Sequence, residues 1–193
     1  IECMALLEKG KEIFEMKVTL KDGSVREYAQ PMAVIDIAKD ISEGLARNVC
    51  AATVNGKGVD IRTVIDKDST LVLHTFDDQE GKAAFWHTTS HILAQAVKRL
   101  FPETKLAIGP SIAEGFYYDF DRPDSFTADD LTALEAEMKK IVKENLALER
   151  FTLPRDEAIK FMQEKEEPYK VELIEDLPED AEISFYRQGE YVD

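Results

Sequence analysis

The sequence of 193 residues has little of what marks unusual protein classes. Its two cysteines, Cys3 and Cys50, are too few for a disulfide framework, which predicts a reducing, cytoplasmic location. No apolar run approaches the ~20 residues that span a bilayer, so no membrane partner is expected. The start of the chain lacks the basic stretch and apolar core of a secretory signal. A hydrophobic fraction of 44% is ordinary for a globular protein and excludes a disordered chain.

Positive charge is also scarce. The formal net charge is −15, which argues against a free-standing nucleic-acid binder, because such proteins normally present a basic face. The net charge is unevenly distributed, with −2 in residues 1–76 and −13 in residues 77–193. This difference predicts two domains with a boundary near residues 77–81.

Residues 14–76 alternate between short strand patterns and turns. Asp22-Gly23 and Asn55-Gly56 are typical of tight hairpin turns. A helix is predicted from Met32 to Leu45, where apolar residues recur at helical spacing after a proline. The predicted strands are Phe14–Leu20, Val25–Tyr28, Cys50–Val54 and Ser69–Thr75. This order predicts a small mixed sheet with a helix across one face.

Residues 77–193 read as a second α+β unit. A helix is predicted from Trp86 to Leu100, stopped by Phe101-Pro102. A second helix is predicted from Thr127 to about Asn145, with Thr127 and Asp130 as a capping box and Leu131, Leu134, Met138, Ile141 and Val142 facing inward. Further strands are predicted at 105–108, 115–120, 148–153 and 183–186, and further helices after Pro154 and at 170–177.

His87 and His91 are the strongest chemical signal. Spaced at i and i+4, they lie one turn apart on the same face of the predicted helix. Two imidazoles so placed can converge on a metal, a water or a phosphate; alternatively, they cap or pack the helix. No third and fourth ligands stand at metal spacing, since Cys3, Cys50 and His74 lie elsewhere. The spacing therefore does not predict a complete structural zinc site, although carboxylates of the acidic second half could supply further ligands.

Two weaker features complete the candidate set. In the predicted strand 115–120, alternation sends Tyr118 to the same face as Phe116 and Phe120, where these rings line a pocket or simply form an aromatic core. Lys170 follows a run of acidic residues. It either orients a carboxylate, contacts a phosphate, or is solvated.

At these residues the chain resembles a known family, the bacterial threonyl-tRNA synthetases, over nearly its whole length. The matches are Val18-Thr19-Leu20-Lys21-Asp22-Gly23-Ser24, His87-Thr88-Thr89-Ser90-His91-Ile92-Leu93-Ala94-Gln95-Ala96, Ile108-Gly109-Pro110 and Gly115-Phe116-Tyr117-Tyr118-Asp119-Phe120. The resemblance implies an N-terminal extension (1–13), a ubiquitin-like β-grasp TGS domain (14–76) and an α/β editing domain (77–193), hence an α+β fold class.

The resemblance also implies a function. In this family the editing domain hydrolyses serine wrongly attached to threonine tRNA. The implied catalytic residues are His87, His91 and Lys170, and the implied substrate-binding residues are Tyr118 and Asp193. Asp193 matches the aspartate of the family motif D-L-C-R-G-P-H, whose cysteine and histidine would follow it.

The implied partner is threonine tRNA, and no metal is expected in the editing domain. ATP, zinc and the homodimer contacts belong to an aminoacylation core that this chain is expected to lack. An alternative is a TGS-containing module that binds tRNA or protein without hydrolysis. A free-standing deacylase for mischarged alanine tRNA is a third possibility, but such enzymes lack the first-half module.

Overall fold

A computed structural model describes residues 15–193 of the chain. The predicted N-terminal extension, and Phe14 of the first predicted strand, lie outside these residues. The described chain forms two compact units, which divide between Phe85 and Trp86. No helix among the described residues has the length and apolar character needed to cross a membrane.

The first unit is built on a five-stranded mixed sheet. Its strands run in the order β2-β1-β7-β4-β5, with β1 and β7 parallel and the other neighbours antiparallel. The strands of the unit are β1 (Met16–Leu20), β2 (Val25–Tyr28), β3 (Met32–Ala33), β4 (Val49–Val54), β5 (Lys57–Val59), β6 (Val64–Ile65) and β7 (Ser69–Thr75). Both predicted hairpin turns are present, with Gly23 and Asn55-Gly56 at positive φ.

The predicted helix 32–45 is not continuous. Met32 and Ala33 pair with β6 as strand β3, α1 spans Val34–Ile41 and α2 spans Glu43–Asn48. Ser42 separates the two helices in an extended conformation, and its side chain accepts a hydrogen bond from the Leu45 amide. A serine that caps a new helix ends the old one, because the same backbone cannot be helical and capping at once. The apolar spacing alone did not reveal this break.

One apolar cluster holds the first unit together. It joins α1 to one face of the sheet and consists of Met16, Val18, Val34, Ile37, Ala52, Ile65 and Leu71. Alternation in β1 places Met16 and Val18 inside and Lys17 outside, as a half-buried strand requires. The predicted mixed sheet with a helix across one face is confirmed.

The second unit begins within a long helix, α3 (Gln79–Leu100). The prediction that this helix starts at Trp86 was wrong, because its first turns occupy the sequence taken as a boundary. Asp78, whose carboxylate accepts a hydrogen bond from the Thr75 amide, immediately precedes it. The helix ends before Phe101-Pro102, as predicted.

Short strands follow α3. They are β8 (Lys105–Leu106), β9 (Ser111–Ile112), β10 (Gly115–Phe116) and β11 (Phe120–Asp121). The predicted single strand 115–120 is therefore two strands, since its ends pair with different partners, β9 and β8. Backbone hydrogen bonds between Ala107 and Asp119, and between Asp119 and Ile108, continue the β8–β11 pairing toward Tyr118.

The remaining elements are three helices and a three-stranded antiparallel sheet of order β12-β13-β14. They are α4 (Ala128–Glu144), β12 (Glu149–Leu153), α5 (Arg155–Glu164), α6 (Pro168–Asp176), β13 (Ile183–Gln188) and β14 (Tyr191–Val192). The capping box of Thr127 and Asp130 is confirmed. Leu134 and Ile141 are buried as predicted, but Leu131 and Val142 are 59% and 60% exposed. The buried stripe of α4 passes instead through Glu137, which pairs with Arg99 and Lys140.

Candidate functional site

Helix α3 brings the two predicted histidines together. Their Nε2 atoms lie 3.0 Å apart, as the one-turn spacing requires. His91 is buried and 8% exposed, whereas His87 is exposed. Burial lowers the pKa of His91 to about 4, against the opposing attraction of Asp193. The pKa of His87 is also lowered, chiefly because neighbouring protein displaces water around its ring. Both imidazoles are therefore neutral near pH 7 and offer nitrogen lone pairs.

Gly109 and Ser90 set the position of Tyr118. A Cβ at Gly109 would lie 2.0 Å from the Tyr118 Cδ2 atom, so only glycine lets the backbone approach this ring. The Gly109 carbonyl lies 2.8 Å from the hydroxyl of Ser90, a fully buried residue of α3. The Tyr118 ring also stacks on Phe120, with centroids 4.7 Å apart. The predicted alternation of Tyr118 and Phe120 onto one face agrees with this contact.

The Asp193 carboxylate contacts four other side chains of the site. Its Oδ1 atom lies 2.5 Å from the Lys170 Nζ, and its Oδ2 atom accepts hydrogen bonds from the Tyr118 hydroxyl at 2.6 Å and the Tyr191 hydroxyl at 3.0 Å. The same Oδ2 lies 3.6 Å from the His91 Nδ1.

The Asp193 side chain is only 6% exposed. Burial alone would raise its pKa, but the charge of Lys170, together with hydrogen bonds from Lys170 and Tyr118, outweighs burial, and the net pKa lies below the ordinary value. Asp193 is thus a buried, ionised carboxylate with a fixed cation beside it.

The five predicted site residues therefore form one connected cluster. α3 supplies His87 and His91, the segment before β11 supplies Tyr118, α6 supplies Lys170, and the end of β14 leads into Asp193. The sequence analysis missed Tyr191. Burial strongly raises the pKa of its hydroxyl, and the Asp193 charge adds to this, so it stays a neutral donor. The only sequence signal was its position two residues before Asp193.

A cavity of about 340 Å³ opens at this cluster and is lined by both Lys170 and Asp193, with Leu173, Ile174 and Phe185 among its apolar walls. A larger cavity of about 470 Å³ shares Tyr191 with the cluster but otherwise lies toward Gln95, Lys98 and Leu146. The smaller cavity is the better candidate for a ligand, because charged site groups reach it.

The donor set is suited to acid–base and hydrogen-bond chemistry. Within residues 15–193, no three His, Cys, Asp or Glu side chains are close enough together to hold a metal ion. His91 Nδ1 is buried without a hydrogen-bond partner, which is uncommon for a polar atom in a folded interior. Neutral imidazoles, one ammonium and one carboxylate can together position a water and balance charge on a reacting ester.

Comparison with known proteins adds a family context. Residues 16–75 match the TGS domain family. Over 178 residues, the chain is 63% identical to the threonine–tRNA ligase of Clostridium botulinum (strain Alaska E43 / Type E3), covering 92% of this chain and 27% of the relative. It is 61% identical to the Acetivibrio thermocellus ligase, over 92% of the chain and 28% of the relative. For the Caldanaerobacter subterraneus ligase the identity is 57%, over 95% of the chain and 29% of the relative.

The chain thus spans little more than a quarter of the length of these relatives. The aligned region covers 92% or more of this chain and so includes most of both units. Residues 16–75 are therefore a TGS domain, and the chain as a whole corresponds to the N-terminal part of bacterial threonine–tRNA ligases.

Proposed function

We propose that the second unit is an editing domain that hydrolyses the aminoacyl ester of threonine tRNA mischarged with serine. The observation that carries the proposal is the single cluster of His87, His91, Tyr118, Lys170 and Asp193 beside a cavity. The names of the relatives supply the substrate, because a ligase for threonine must handle threonine tRNA.

Ester hydrolysis needs an activated water and a counter-charge for the developing oxyanion. The neutral imidazoles of His87 and His91 can accept a proton from, or orient, a water at the open side of the pair. Lys170 is the cation of the cluster, and it lines the cavity. We assign Lys170 to the ester carbonyl and the phosphate side of the 3′ nucleotide, and the histidines to the water.

Asp193 is assigned to the substrate's ammonium group. Both hydroxyl donors occupy Oδ2, while Oδ1 pairs with Lys170. A carboxylate oxygen has two lone pairs, so Oδ1 retains one acceptor position. An incoming ammonium would there share the carboxylate with Lys170, and the two tyrosine hydroxyls would keep the carboxylate oriented.

The need for such a site follows from the two amino acids. Serine lacks one methyl group of threonine. A binding pocket distinguishes two ligands that differ by one such group by only ~1–3 kcal/mol of binding free energy. A second, hydrolytic site that admits the smaller substrate multiplies the discrimination. We propose that threonine tRNA is the partner, that the whole ligase is a cytoplasmic homodimer, and that ATP and zinc are bound outside the 193 residues.

The test is hydrolysis of seryl-tRNA and threonyl-tRNA that carry the threonine anticodon. The 193-residue chain is assayed alone and within a full-length ligase, together with His87→Ala and His91→Ala variants. We expect selective loss of seryl-tRNA, slowed about 10²–10⁴-fold by each substitution, the usual contribution of a positioned acid–base group. His74→Gln, in the first unit, is the matched histidine control and should leave the rate unchanged. Binding of tRNA without hydrolysis in either format would favour the TGS-containing binding module instead.

A further inference from the structure

Glu167 is a buried carboxylate outside the cluster described above. It is 5% exposed and stands immediately before α6. Its Oε1 atom lies 2.7 Å from the Lys98 Nζ, and its Oε2 atom accepts a hydrogen bond from the Leu106 amide at 2.8 Å. A buried charge is tolerated only when it is paired and hydrogen-bonded, and here each carboxylate oxygen has a partner.

The ammonium group of Lys98 also has all its hydrogen-bond positions filled by protein atoms. Besides Glu167, its ammonium donates to the Pro102 carbonyl at 3.0 Å and to the Thr104 carbonyl at 2.9 Å. An ammonium has three donor positions, so all three are used within the protein. The Lys98–Glu167 pair is therefore a closed structural link rather than a free ligand-binding group.

The link joins α3 and α6, which carry three of the site residues, to strand β8. Lys98 lies on α3, which also carries His87 and His91. Leu106 lies in β8, whose pairing with β11 extends through Asp119, the residue after Tyr118. Glu167 itself begins the first turn of α6, because its carbonyl accepts hydrogen bonds from the amides of Lys170 and Val171.

The backbone at the same point is unusual. Glu166 has φ +56°, a left-handed conformation that non-glycine residues rarely adopt. Such a conformation persists only when surrounding contacts hold it. The Glu167 amide bonds to the Met162 carbonyl, and the Glu167 side chain is clamped as described. These contacts fix the direction in which α6, and with it Lys170, leaves the turn.

We propose that Glu167, clamped between Lys98 and the Leu106 amide, is a positioning residue that sets the placement of Lys170 against Asp193 and Tyr118. Glu167 does not touch the cavity that Lys170 and Asp193 line. It acts through Lys170, one turn further along α6. Its kinetic consequence rests on the proposed hydrolytic function, whereas its effect on Lys170 is independent of any reaction.

The test replaces both partners, because removing one alone leaves an uncompensated buried charge that can unfold the unit. In the Lys98→Met/Glu167→Gln variant the side-chain volumes are nearly kept and the new amide oxygen can still accept from Leu106. The matched control is Arg99→Met/Glu144→Gln. It removes the ion pairs between α3 and α4, from Arg99 to Glu144 at 2.6 Å and to Glu137 at 3.2 Å, while Glu137 keeps its pair with Lys140. Helix α4 carries no site residue.

The first readout is acetylation of Lys170 by a water-soluble acylating reagent, followed by mass spectrometry. In the parent chain Lys170 is 16% exposed and paired with Asp193, so its reaction should be slow. We expect faster acetylation of Lys170 in the Lys98→Met/Glu167→Gln variant, and a parent-like rate in the control. If the variant melts like the parent and Lys170 stays protected, the proposal is overturned, whatever the chain hydrolyses.

The second readout is seryl-tRNA hydrolysis, with Lys170→Ala combined into each variant. A displacement of about 1 Å in a catalytic group can cost up to ~10²-fold, so we expect kcat to fall by about 10- to 100-fold with KM little changed. Because Glu167 acts through Lys170, its effect should largely vanish when Lys170 is already alanine. Additive losses would refute the positioning role. If the parent has no hydrolytic activity, the proposed function fails while the acetylation result still decides the role of Glu167.

Discussion

The two units of this chain treat buried polar groups in different ways. In the described part of the first unit, the buried polar residues are Ser69 and His74, and both are hydrogen-bonded, His74 to the Thr53 hydroxyl at 2.8 Å. The second unit buries Ser90, His91, Gln95, Thr104, Glu137 and Glu167. Within residues 15–193, the buried side-chain nitrogen and oxygen atoms that have no hydrogen-bond partner all lie there, on His91, Gln95 and Arg122.

The buried polar groups that lack hydrogen-bond partners are thus found in the same unit as the candidate site. The first unit satisfies its interior with one apolar cluster and conventional pairs, as a domain selected for stable shape does. The second unit divides its apolar contacts between two clusters and also buries ionised and neutral polar side chains. Perturbed, incompletely satisfied groups concentrate where chemistry takes place. Substitutions in the second unit can be compared with similar substitutions in the first unit, or with the parent chain, to test this contrast.

The largest contrast is expected between Lys170→Met and Lys39→Met. Lys170 supplies the fixed cation beside the buried Asp193 carboxylate, and removing one partner of a buried pair typically costs roughly 3–5 kcal/mol. Lys39 pairs with Asp36 on the surface of α1, both side chains being about half exposed (51% and 49%), and such pairs contribute little. Hydrogen exchange resolved by peptide measures the free energy of unfolding of each unit separately.

We expect the second unit to be strongly destabilised by Lys170→Met, with a rise in the Asp193 pKa that carbon-detected NMR can follow. The first unit should be unaffected by either change. Equal, small effects of both substitutions would mean that Asp193 is as well solvated as a surface carboxylate, and the contrast between the units would fail.

The next contrast is a pH dependence that His91 gives to the second unit. Burial shifts the pKa of His91 from 6.5 to about 4, so the unfolded chain binds a proton at this residue more readily than the folded chain. The stability tied to neutral His91 is present above pH 6.5 and is lost as the pH falls toward 4. A shift of this size corresponds to about 3 kcal/mol.

Denaturant unfolding of the parent chain and of His91→Gln at several pH values between 7 and 4 measures this loss. The difference in unfolding free energy between the two proteins should change with falling pH in the direction that favours the variant. A constant difference across that range would show that His91 titrates alike in the folded and unfolded states.

The smallest contrast concerns two glycines. Gly109→Ala would place a methyl group 2.0 Å from the Tyr118 ring, and overpacking of this kind costs roughly 1–3 kcal/mol. Gly44 lies inside α2, where an added Cβ would meet nothing closer than the Ser42 Oγ at 3.7 Å. Gly44→Ala should therefore stabilise the first unit by about 0.5–1 kcal/mol, the usual helix-interior difference.

Thermal unfolding gives the sign of each change, and the Tyr118 ring signals in NMR spectra report its displacement. A Gly109→Ala chain as stable as the parent, with unchanged Tyr118 signals, would show that the ring can move aside at no cost.

The elements with strong local signals could be predicted from the sequence. Strand Ser69–Thr75 contains the apolar run Leu71-Val72-Leu73. Hairpin turns are specified by Asp22-Gly23 and Asn55-Gly56, and Thr127 with Asp130 caps α4. Several of the predictions that were wrong concern where helices and strands begin, end or break. The break at Ser42 depends on a local cap, in which its side chain accepts from the Leu45 amide, and apolar periodicity does not record such a cap. The early start of α3 lies in residues taken as a domain boundary. The division of 115–120 into two strands depends on pairing with two different strands, β9 and β8.

The candidate site shows the same limit. The i, i+4 spacing placed His87 and His91 side by side with no further information, because helix geometry alone fixes that distance. The assignment of Tyr118, Lys170 and Asp193 came from resemblance to a family, since these residues lie 31, 83 and 106 positions after His87 and no local rule connects them. Tyr191 and Glu167 escaped notice, because a tyrosine and a glutamate carry no signal until their partners are known.

The sequence by itself determined the periodicities, caps and turns of this protein, and the spacing of its histidine pair, because these follow from interactions within a few residues. Only the tertiary structure decided that a lysine, two tyrosines and an aspartate converge on those histidines, and that the Asp193 carboxylate stays ionised in a buried place. The physical reason is that burial and charge pairing arise from groups far apart in the chain, and their energies depend on distances and exclusion of water that folding alone sets.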